Sequence, residues 1–373
     1  MKYRVPLFDL YIRENEIKRI VNVLKKGWLT FGPECIKFEN KFSNILKVKY
    51  SLFVSSATAG LHLSYKVLFD KDDEVLVPSF TFISTVSMLL HVGAKPIFVD
   101  IESIDFPLLS IKDAERKITK KTKGLVYMHY AGYLRDMKKV VEFCKENNLI
   151  LIEDSAHALF VKNKKYAGTF GKIGIFSFFS NKNLPIGEGG MVVTDDKKIY
   201  ERLKILRSHG MTKDTIERFK KSSLYDVVDI GFNYRPTEIQ GALALEILKR
   251  VKRDNKKREE IVKKYRKELK EFLKIPFDEK IPSSHYIFPV FCKDKKERDE
   301  LRKFLFKNKI QTSIHYIPVH KFKIFKEIYP KLKLEITEEA GNRELTIPLF
   351  PSMKEEDINY VIEKIKEFFK FGG

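Results

Sequence analysis

The sequence predicts an α/β fold, with a mostly parallel β-sheet between helices and a smaller α+β domain at the C-terminal end. Between about residues 50 and 200, short apolar runs alternate with stretches whose apolar residues recur every three or four positions. This pattern is typical of alternating strands and helices, and it favours a parallel sheet covered on both faces. Beyond about Arg253 long charged segments take over. We therefore predict two domains, residues 1–250 and 251–373.

The individual elements follow from apolar periodicity and from residues that start or stop helices. Gly27 ends the first helix, and Thr237 with Gln240 forms a capping box that starts a later one. The predicted strands are Ser51–Val54, Glu74–Val77, Lys95–Val99, Gly124–Met128, Leu149–Glu153, Ile175–Phe179, Met191–Thr194 and Tyr286–Phe291. The predicted helices are Glu14–Lys26, Glu34–Leu46, one carrying Leu61 to Leu68, Thr81–Val92, Lys112–Ile118, Met137–Asn147, Lys197–Arg207, Thr237–Leu248, a long one within Lys249–Lys274, Lys295–Lys307 and Glu355–Phe369. The stretch Ser208–Ser223 is expected to be loop-rich.

The chain is strongly basic, with a formal net charge of +21 from 71 Lys and Arg against 50 Asp and Glu. Such an excess fits an anionic partner: nucleic acid, a membrane surface or a phosphorylated substrate. In the most charged region, Lys249 to Lys274, basic residues alternate with glutamates around apolar positions, as on a solvent-exposed amphipathic helix. We therefore predict a lysine-rich surface and no nucleic-acid partner. An electropositive mouth for a phosphorylated substrate remains open.

The composition gives no sign of disulfides, a metal site or a membrane segment. Cys35, Cys144 and Cys292 have no paired spacing, which fits a reducing cytoplasm. His315 and His320 lack a third ligand at suitable spacing, so no metal is predicted. No apolar run approaches the ~20 residues of a membrane span, and the N-terminus has no signal-peptide core. We predict a cytoplasmic protein that does not bind a membrane.

Polar residues follow the predicted strands at their carboxyl ends, where ligands bind in open parallel sheets. These residues are Ser55 to Thr58, Thr81, Asp100, His129, Asp154 and His157. Small hydroxyl-bearing residues that open a helix favour a bound anion, because the first N–H groups of a helix have no partner within it. The alternative interpretation of the Ser56–Thr58 turn is a plain N-cap. We expect all of these residues to converge.

Lys182 lies on a short loop between two β-prone runs and is followed by Gly187-Glu188-Gly189-Gly190. Strands would fix its position and glycines would leave room for a cofactor, which suits a nucleophilic lysine. Taken alone, it is more simply a surface lysine. Asp154 ends an apolar run, where a carboxylate needs a cationic partner such as a protonated ring nitrogen, or else caps a helix. His157 is either a core histidine or part of the same site.

Lys182, Asp154 and the Ser56-Ala57-Thr58 turn, in this order and spacing, resemble the fold-type I enzymes that use pyridoxal 5′-phosphate (PLP), with their seven-stranded sheet. The closer resemblance is to the sugar aminotransferases of the DegT/DnrJ/EryC1/StrS family, and it extends along nearly the whole chain. Seven motifs carry it: GWLTFGP (27–33), VSSATAGLHL (54–63), VPSFTF (77–82), IEDSAHAL (152–159), SFFSNKNLPIGEGGMVVTDD (177–196), GFNYRPTEIQGAL (231–243) and HYIPVH (315–320).

The resemblance implies roles for the residues that match. Lys182 would bind PLP covalently and move the proton between substrate and cofactor, while Asp154 would keep the pyridine nitrogen protonated. The cofactor-binding set would be Ala57, Thr58, Phe82, Asp154, His157, Ser177, Lys182 and Asn233. Asn233 would reach the phosphate of a neighbouring subunit, which implies a homodimer with shared active sites. The substrate mouth would draw on Trp28, Thr30, His315, Tyr316 and His320.

The implied reaction is a transamination in two half-reactions. L-Glutamate would give its amino group to the cofactor, leaving pyridoxamine 5′-phosphate, and a nucleotide-diphosphate-linked keto-sugar would then receive it. His157, where many relatives have glutamine, and Pro185-Ile186 depart from the family pattern. One rival is a transaminase of a non-sugar carbonyl. A sugar dehydratase on the same fold would carry histidine in place of Lys182, and Lys182 with Asp154 argues against a non-catalytic regulator.

Overall fold

A seven-stranded sheet forms the centre of the N-terminal part of the computed structural model, which describes residues 3–213, Ile216 and residues 224–371. The strands are β1 (Tyr50–Val54), β2 (Glu74–Pro78), β3 (Lys95–Val99), β4 (Thr122–Met128), β5 (Ile150–Asp154), β6 (Ile173–Ser177) and β7 (Gly190–Thr194). Their order across the sheet is β1-β7-β6-β5-β4-β2-β3. β7 is antiparallel to β1 and β6, and the other neighbours are parallel. The predicted mostly parallel sheet of seven strands is confirmed.

Helices cover both faces of this sheet, because successive residues of a strand point to opposite faces. These helices are α1 (Glu14–Lys26), α2 (Pro33–Leu46), α3 (Ala57–Leu68), α4 (Ile83–His91), α5 (Ile111–Lys117), α6 (Lys138–Glu146), α7 (Lys197–Arg207) and α8 (Glu238–Leu248). On β4, Val126 joins a core with α3, α4 and α7, whereas Leu125 and Tyr127 join a core with α6. The sheet is therefore buried on both sides, as parallel sheets generally are.

A second sheet of two antiparallel strands, β8 (Phe288–Phe291) and β9 (Glu344–Ile347), has its own apolar core. The remaining helices are α9 (Val251–Leu269), α10 (Lys295–Lys307), α11 (Lys323–Ile328), α12 (Glu335–Arg343) and α13 (Glu355–Phe371). Val5 pairs with Ile310 and is fully buried in this second core. The α+β character of the C-terminal part is confirmed. The boundary near residue 250 falls between α8 and α9, and the division into residues 1–250 and 251–373 stays a prediction.

The sequence pattern placed one strand too late and missed three short elements, α11, α12 and β9. β6 ends at Ser177, although the apolar run continues through Phe179. Phe178 fills the aromatic core beneath α2, whereas Phe179 is 42% exposed. α11 and β9 are too short for a periodic pattern to be recognised, and α12 offers only Ile336 and Ala340 as apolar positions. The prediction of a loop-rich Ser208–Ser223 falls largely on residues outside those that the structure describes.

Candidate active site

A cavity of about 570 Å³ opens at the carboxyl ends of β4, β5 and β6. The N-terminus of α3 and the segment 313–317 contribute to its wall. Most of the predicted site residues line it together: Ala57, Thr58, Phe82, Asp154, His157, Ser177, Lys182, His315 and Tyr316. The location is the usual one for ligands of open parallel sheets, and the volume is in the range of small-molecule sites.

Lys182 is a half-buried residue in the wall of this cavity. Burial lowers its pKa to about 7, and the Asp154 carboxylate offsets part of that shift. Its Nζ atom lies 3.9 Å from the ring centroid of Tyr286, whose hydroxyl donates to Asn181 Oδ1 at 2.9 Å. A substantial fraction of Lys182 is therefore an uncharged amine near neutral pH, which is the nucleophilic form. The alternative of a plain surface lysine is excluded.

Asp154 ends β5 with 3% of its surface exposed. Its Oδ2 atom accepts the Thr85 hydroxyl at 2.7 Å, and its Oδ1 atom accepts the Ala156 N–H at 3.1 Å. The residues that follow form turns rather than a helix, so Asp154 is not a helix cap. Two donors fix the carboxylate in a buried position close enough to Lys182 to influence its pKa.

His157 is a neutral imidazole held from both sides. Its Nδ1 atom accepts the Ala131 N–H at 3.2 Å, so the ring hydrogen is on Nε2, which lies 2.8 Å from the Tyr316 hydroxyl. Burial, and secondarily the nearby Lys182 and His315, hold the pKa of His157 well below its usual value. The ring can therefore orient the Tyr316 hydroxyl without adding a charge to the cavity.

The N-terminus of α3 forms an anion cradle. Ser56 caps the helix, with its side chain accepting the Ala59 N–H at 3.0 Å, and Ala57 and Thr58 line the cavity in the first turn. A Cβ atom at Gly190 would lie 2.5 Å from the backbone nitrogen of Ala57. Glycine therefore allows β7 to approach this turn without covering it. Helix capping and anion binding are compatible here. Ser56 accepts the Ala59 N–H, and the N–H groups of Ala57 and Thr58 stay available for an anion.

The donor set of the cavity fits PLP. A phosphate suits the α3 N-terminus beside Ser177, a pyridinium nitrogen suits the buried Asp154 carboxylate, and an aldehyde suits the Lys182 amine. Phe82, which is 52% exposed at the start of α4, offers an aromatic face at the cavity wall. Each of the three polar groups of the cofactor thus has a chemically matched partner among residues that line one cavity.

Four predicted residues do not line the cavity of their own chain. Trp28 is half-buried and donates from Nε1 to the Phe31 carbonyl, Thr30 is exposed, and Asn233 is exposed beside Ser208. His320 is buried, with Nδ1 at 2.7 Å from Ser79 Oγ and Nε2 at 3.1 Å from Glu338 Oε1. Both of its ring nitrogens are engaged, so it holds the 313–320 segment in place. A substrate contact from Trp28, Thr30 or His320 stays a prediction, and so does the contact of Asn233 with the cofactor phosphate of a neighbouring subunit.

The expectation that Asp100 and His129 converge with the site was wrong. Asp100 accepts the Thr337 N–H at 2.7 Å near the start of α12. His129 is fully buried and lies 2.8 Å from Glu153 Oε2. In the part of the chain that the structure describes, no three His, Cys, Asp or Glu side chains are grouped to hold a metal, and no helix has the length and apolarity to cross a membrane.

The structure also adds residues that the sequence reasoning missed. Tyr286 packs against Lys182, and Thr85 bonds Asp154. On β9, Thr346 lies 2.9 Å from His315, and Glu344 accepts the His315 N–H at 2.7 Å. The one sequence signal for the last pair is the polar–apolar alternation of Glu344-Leu345-Thr346-Ile347, which is typical of a strand with one polar face.

The fold and the cavity define the class of protein. The cavity holds a half-buried lysine and a buried aspartate beside a helix N-terminus, at the carboxyl edge of a seven-stranded sheet with one antiparallel strand. This arrangement is the fold-type I architecture implied by the motifs. The predicted fold class is therefore confirmed.

Comparison with known proteins identifies the family. Residues 10–366 match the DegT/DnrJ/EryC1/StrS aminotransferase family. GDP-perosamine synthase of Escherichia coli O157:H7 is 36% identical over 373 residues, covering 99% of each chain. PseC of Helicobacter pylori, an aminotransferase involved in the biosynthesis of pseudoaminic acid, gives a TM-score of 0.92 at 28% identity and covers 99% of this chain and 100% of PseC. Spr1654 of Streptococcus pneumoniae in its PLP form gives 0.89 at 28% identity over 98% of each chain. The chain belongs to this aminotransferase family, as the motifs predicted.

Proposed function

We propose that the protein is a PLP-dependent aminotransferase that moves the amino group of an amino acid, L-glutamate, to the ketone of a nucleotide-diphosphate-linked keto-sugar. The observation that carries the proposal is the pairing of Lys182, with its pKa lowered to about 7, and the buried Asp154 in one cavity with an anion cradle. The product would be an amino sugar for polysaccharide, glycan or secondary-metabolite synthesis.

Lys182 and Asp154 divide the chemistry between a proton carrier and a fixed charge. When bound, PLP supplies an electron sink that stabilises the negative charge left as a proton leaves the amino-bearing carbon. The uncharged Lys182 amine accepts that proton and returns it at a neighbouring atom, because its pKa lies near neutrality. Asp154 stays in place to stabilise a positive ring nitrogen. Lys182 would also hold the cofactor before the donor arrives and after the product leaves.

The acceptor class is supported by the relatives and by the charge of the chain. The similar chain from Escherichia coli O157:H7 is a GDP-perosamine synthase, and the two match over 99% of their lengths. The net charge of +21 would attract a diphosphate-bearing substrate over a long range. GDP-linked keto-sugars are therefore the first acceptors to test.

A homodimer with shared active sites belongs to the same proposal. Asn233, Trp28 and Thr30 lie outside the cavity of their own chain, so they would act only from a partner subunit. The segment before Asn233 exposes apolar side chains that a partner would cover: Leu224 is 79% exposed and Ile230 is 81% exposed. Light scattering of the purified protein measures the assembly directly, and a monomer would remove Asn233 from the proposed site.

The compartment proposed is the cytoplasm. The three cysteines, Cys35, Cys144 and Cys292, are free and buried, and burial raises the pKa of each thiol. Thiols in that state are inert and persist in a reducing compartment.

The proposal is tested by the absorption spectrum of the protein with PLP, before and after L-glutamate and then after a panel of nucleotide-linked keto-sugars. Wild type should show a visible band that glutamate removes and that a keto-sugar restores. Lys182→Ala should show no such band, whereas Lys172→Ala, at an exposed lysine bonded to Asp196, should behave as wild type. A wild-type protein without a Lys182-dependent band would refute the proposal. Restoration by simple oxo acids alone would favour a non-sugar acceptor.

A further inference from the structure

A buried polar cluster adjoins the cavity behind His315. Glu344 and Thr346 stand two residues apart on β9, so their side chains share one face of the strand. The intervening Leu345 points into the apolar core of the second sheet. Ser313 and Thr346 exchange backbone hydrogen bonds, which holds the segment before His315 along β9. The local pairing thus places a cavity-lining histidine over the polar face of a buried strand.

Hydrogen bonds connect these three side chains in a row. His315 Nδ1 lies 2.9 Å from Thr346 Oγ1, and Thr346 Oγ1 lies 2.5 Å from Glu344 Oε1. The other carboxylate oxygen, Oε2, accepts the His315 N–H at 2.7 Å, and the His315 carbonyl accepts the Tyr130 hydroxyl at 2.5 Å. The imidazole is therefore fixed in the wall of the cavity, with Nδ1 committed to the threonine.

The Glu344 carboxylate is fully buried and has no ion-pair partner among the residues described. The nearby Arg298 donates instead to the backbone carbonyls of Gly341 and Glu344. The titratable or charged groups that face Glu344 are Arg298 from α10, His315 from the 313–317 segment, Tyr130 after β4, Tyr316 and Cys292. A buried carboxyl that no cation contacts directly favours its protonated form.

Glu344 and His315, the two ends of the hydrogen-bonded row His315–Thr346–Glu344, have complementary charge states. Burial raises the pKa of Glu344 to about 8, although Thr346 and the His315 N–H lower it in part. Burial, with repulsion from Lys182, lowers the pKa of His315 to about 3. A proton that reaches the imidazole therefore does not remain there as a second charge, whereas the carboxylate beyond Thr346 can hold it near neutral pH.

We propose that His315 is a catalytic residue that exchanges protons with the carbonyl oxygen of the substrate. Thr346 and Glu344 position His315, and Thr346 passes the proton between the imidazole and the buried Glu344 carboxylate. The inference rests on the proposed aminotransferase function. It goes beyond that function in separating two proton transfers: Lys182 serves the carbon, and His315 serves the oxygen.

The protons and electrons balance within the known reactants. When the donor leaves as a 2-oxo acid, water adds its oxygen to the carbon, the carbon–nitrogen bond breaks, and both water protons pass from oxygen to nitrogen. In molecules whose Glu344 is ionised, the form that increases as the pH approaches 8, His315 Nε2 accepts a proton from that oxygen as the Nδ1 proton passes to Thr346 and the Thr346 proton passes to Glu344. The same transfers in reverse, from Glu344 through Thr346 to His315, return the proton to His315 Nε2, which donates it to the nitrogen of the breaking carbon–nitrogen bond. In the second half-reaction the same steps run backwards, and the ketone oxygen leaves as water. No oxidant or reductant is needed.

The test compares Thr346→Val, which removes the hydroxyl and keeps the shape, with Thr346→Ser, which keeps the hydroxyl. With PLP bound and L-glutamate added in D2O, NMR follows exchange of the Cα proton, which requires Lys182, and release of the 2-oxo acid, which also requires the oxygen step. Thr346→Val should keep exchange within about twofold and slow release at least about tenfold, and Thr346→Ser should restore most of the release. An equal loss of both rates, or no loss of release, overturns the inference.

Two further measurements do not depend on how well Thr346→Val folds. Release by wild type should show an ionisation near pH 8 that Glu344→Gln lacks. In the protein without cofactor, ¹⁵N-histidine NMR, with the His315 signal among eight identified by His315→Gln, should show a neutral ring whose protonated nitrogen changes near pH 8. The proposed proton transfer from His315 to Glu344 is overturned if His315 forms an imidazolium with an ordinary pKa. It is also overturned if Glu344→Gln leaves the pH dependence of 2-oxo-acid release unchanged. If wild type exchanges no Cα proton, the proposed aminotransferase function fails. Failure of the His315 proton transfer alone would leave that exchange intact.

Discussion

Two buried carboxylates lie near one cavity, Asp154 on β5 and Glu344 on β9, and they differ in the groups that surround them. Asp154 receives hydrogen bonds from the Thr85 hydroxyl and the Ala156 N–H and influences the charge of Lys182. Glu344 receives the Thr346 hydroxyl and the His315 N–H and, among the described residues, makes no ion pair. The first environment is suited to a charge that stays, whereas the second is suited to a proton that moves.

This difference shows that burial alone does not determine the role of a carboxylate. Both groups are less than a tenth exposed and both have two donors. What separates them is the nearest nitrogen group: Asp154 acts on the Lys182 amine in the cavity wall, whereas the Arg298 guanidinium near Glu344 is bonded to backbone carbonyls. Substitutions at each carboxylate test this difference.

The largest effect is expected at Asp154. Asp154→Asn keeps the shape and removes the charge, so turnover should fall on the order of 10²-fold to 10³-fold. Asp100→Asn is the matched control, because Asp100 directly follows a strand of the large sheet but accepts from α12 rather than lining the cavity. Steady-state kinetics on both variants distinguish the two positions. Equal losses would mean that Asp154 serves the fold rather than the chemistry.

The next effect concerns stability and pH at Glu344. An unfolded glutamate loses its proton near pH 4.5, whereas the folded Glu344 holds it to about pH 8. Its contribution to stability is therefore fully present below about pH 4.5 and is lost as the pH rises to 8, at up to about 1.4 kcal/mol per pH unit. Urea unfolding from pH 5 to 8 should show this slope in wild type and a flatter one in Glu344→Gln. Parallel slopes would contradict the raised pKa.

The smallest effect is expected from the hydroxyl beside Asp154. Thr85→Val removes one donor to a carboxylate that keeps the Ala156 N–H, so turnover should fall about tenfold or less. Cα exchange and 2-oxo-acid release should fall together, because Thr85 acts through a fixed charge. Thr346→Val should separate the same two rates. A separation in Thr85→Val as well would remove the distinction between the two carboxylates.

The sequence was most informative where function is concentrated in short motifs. Lys182 and Asp154 were predicted because each lies beside an apolar strand, and because motifs around them resemble a known family. The bounds of α1 were predicted from its apolar stripe and Gly27, and the structure places that helix at the same residues.

Other parts of the site depended on packing that no local pattern contains. Tyr286 was assigned to a strand, and its contact with Lys182 arises because it precedes β8 and turns into the cavity. Asp100 looked like a site residue because it ends a strand, but α12, which the pattern missed, engages it. Glu344 and Thr346 were missed since four residues of alternation are too short to distinguish a strand from a loop.

Amination of a sugar through Lys182 is tested by the transfer of ¹⁵N from labelled L-glutamate to a keto-sugar nucleotide, followed by mass spectrometry of the product. Wild type with PLP should place the label in the sugar, and Lys182→Ala should place none there. Label that enters only simple oxo acids, or the same yield with Lys182→Ala as with wild type, would contradict the claim that this cavity aminates a sugar through Lys182.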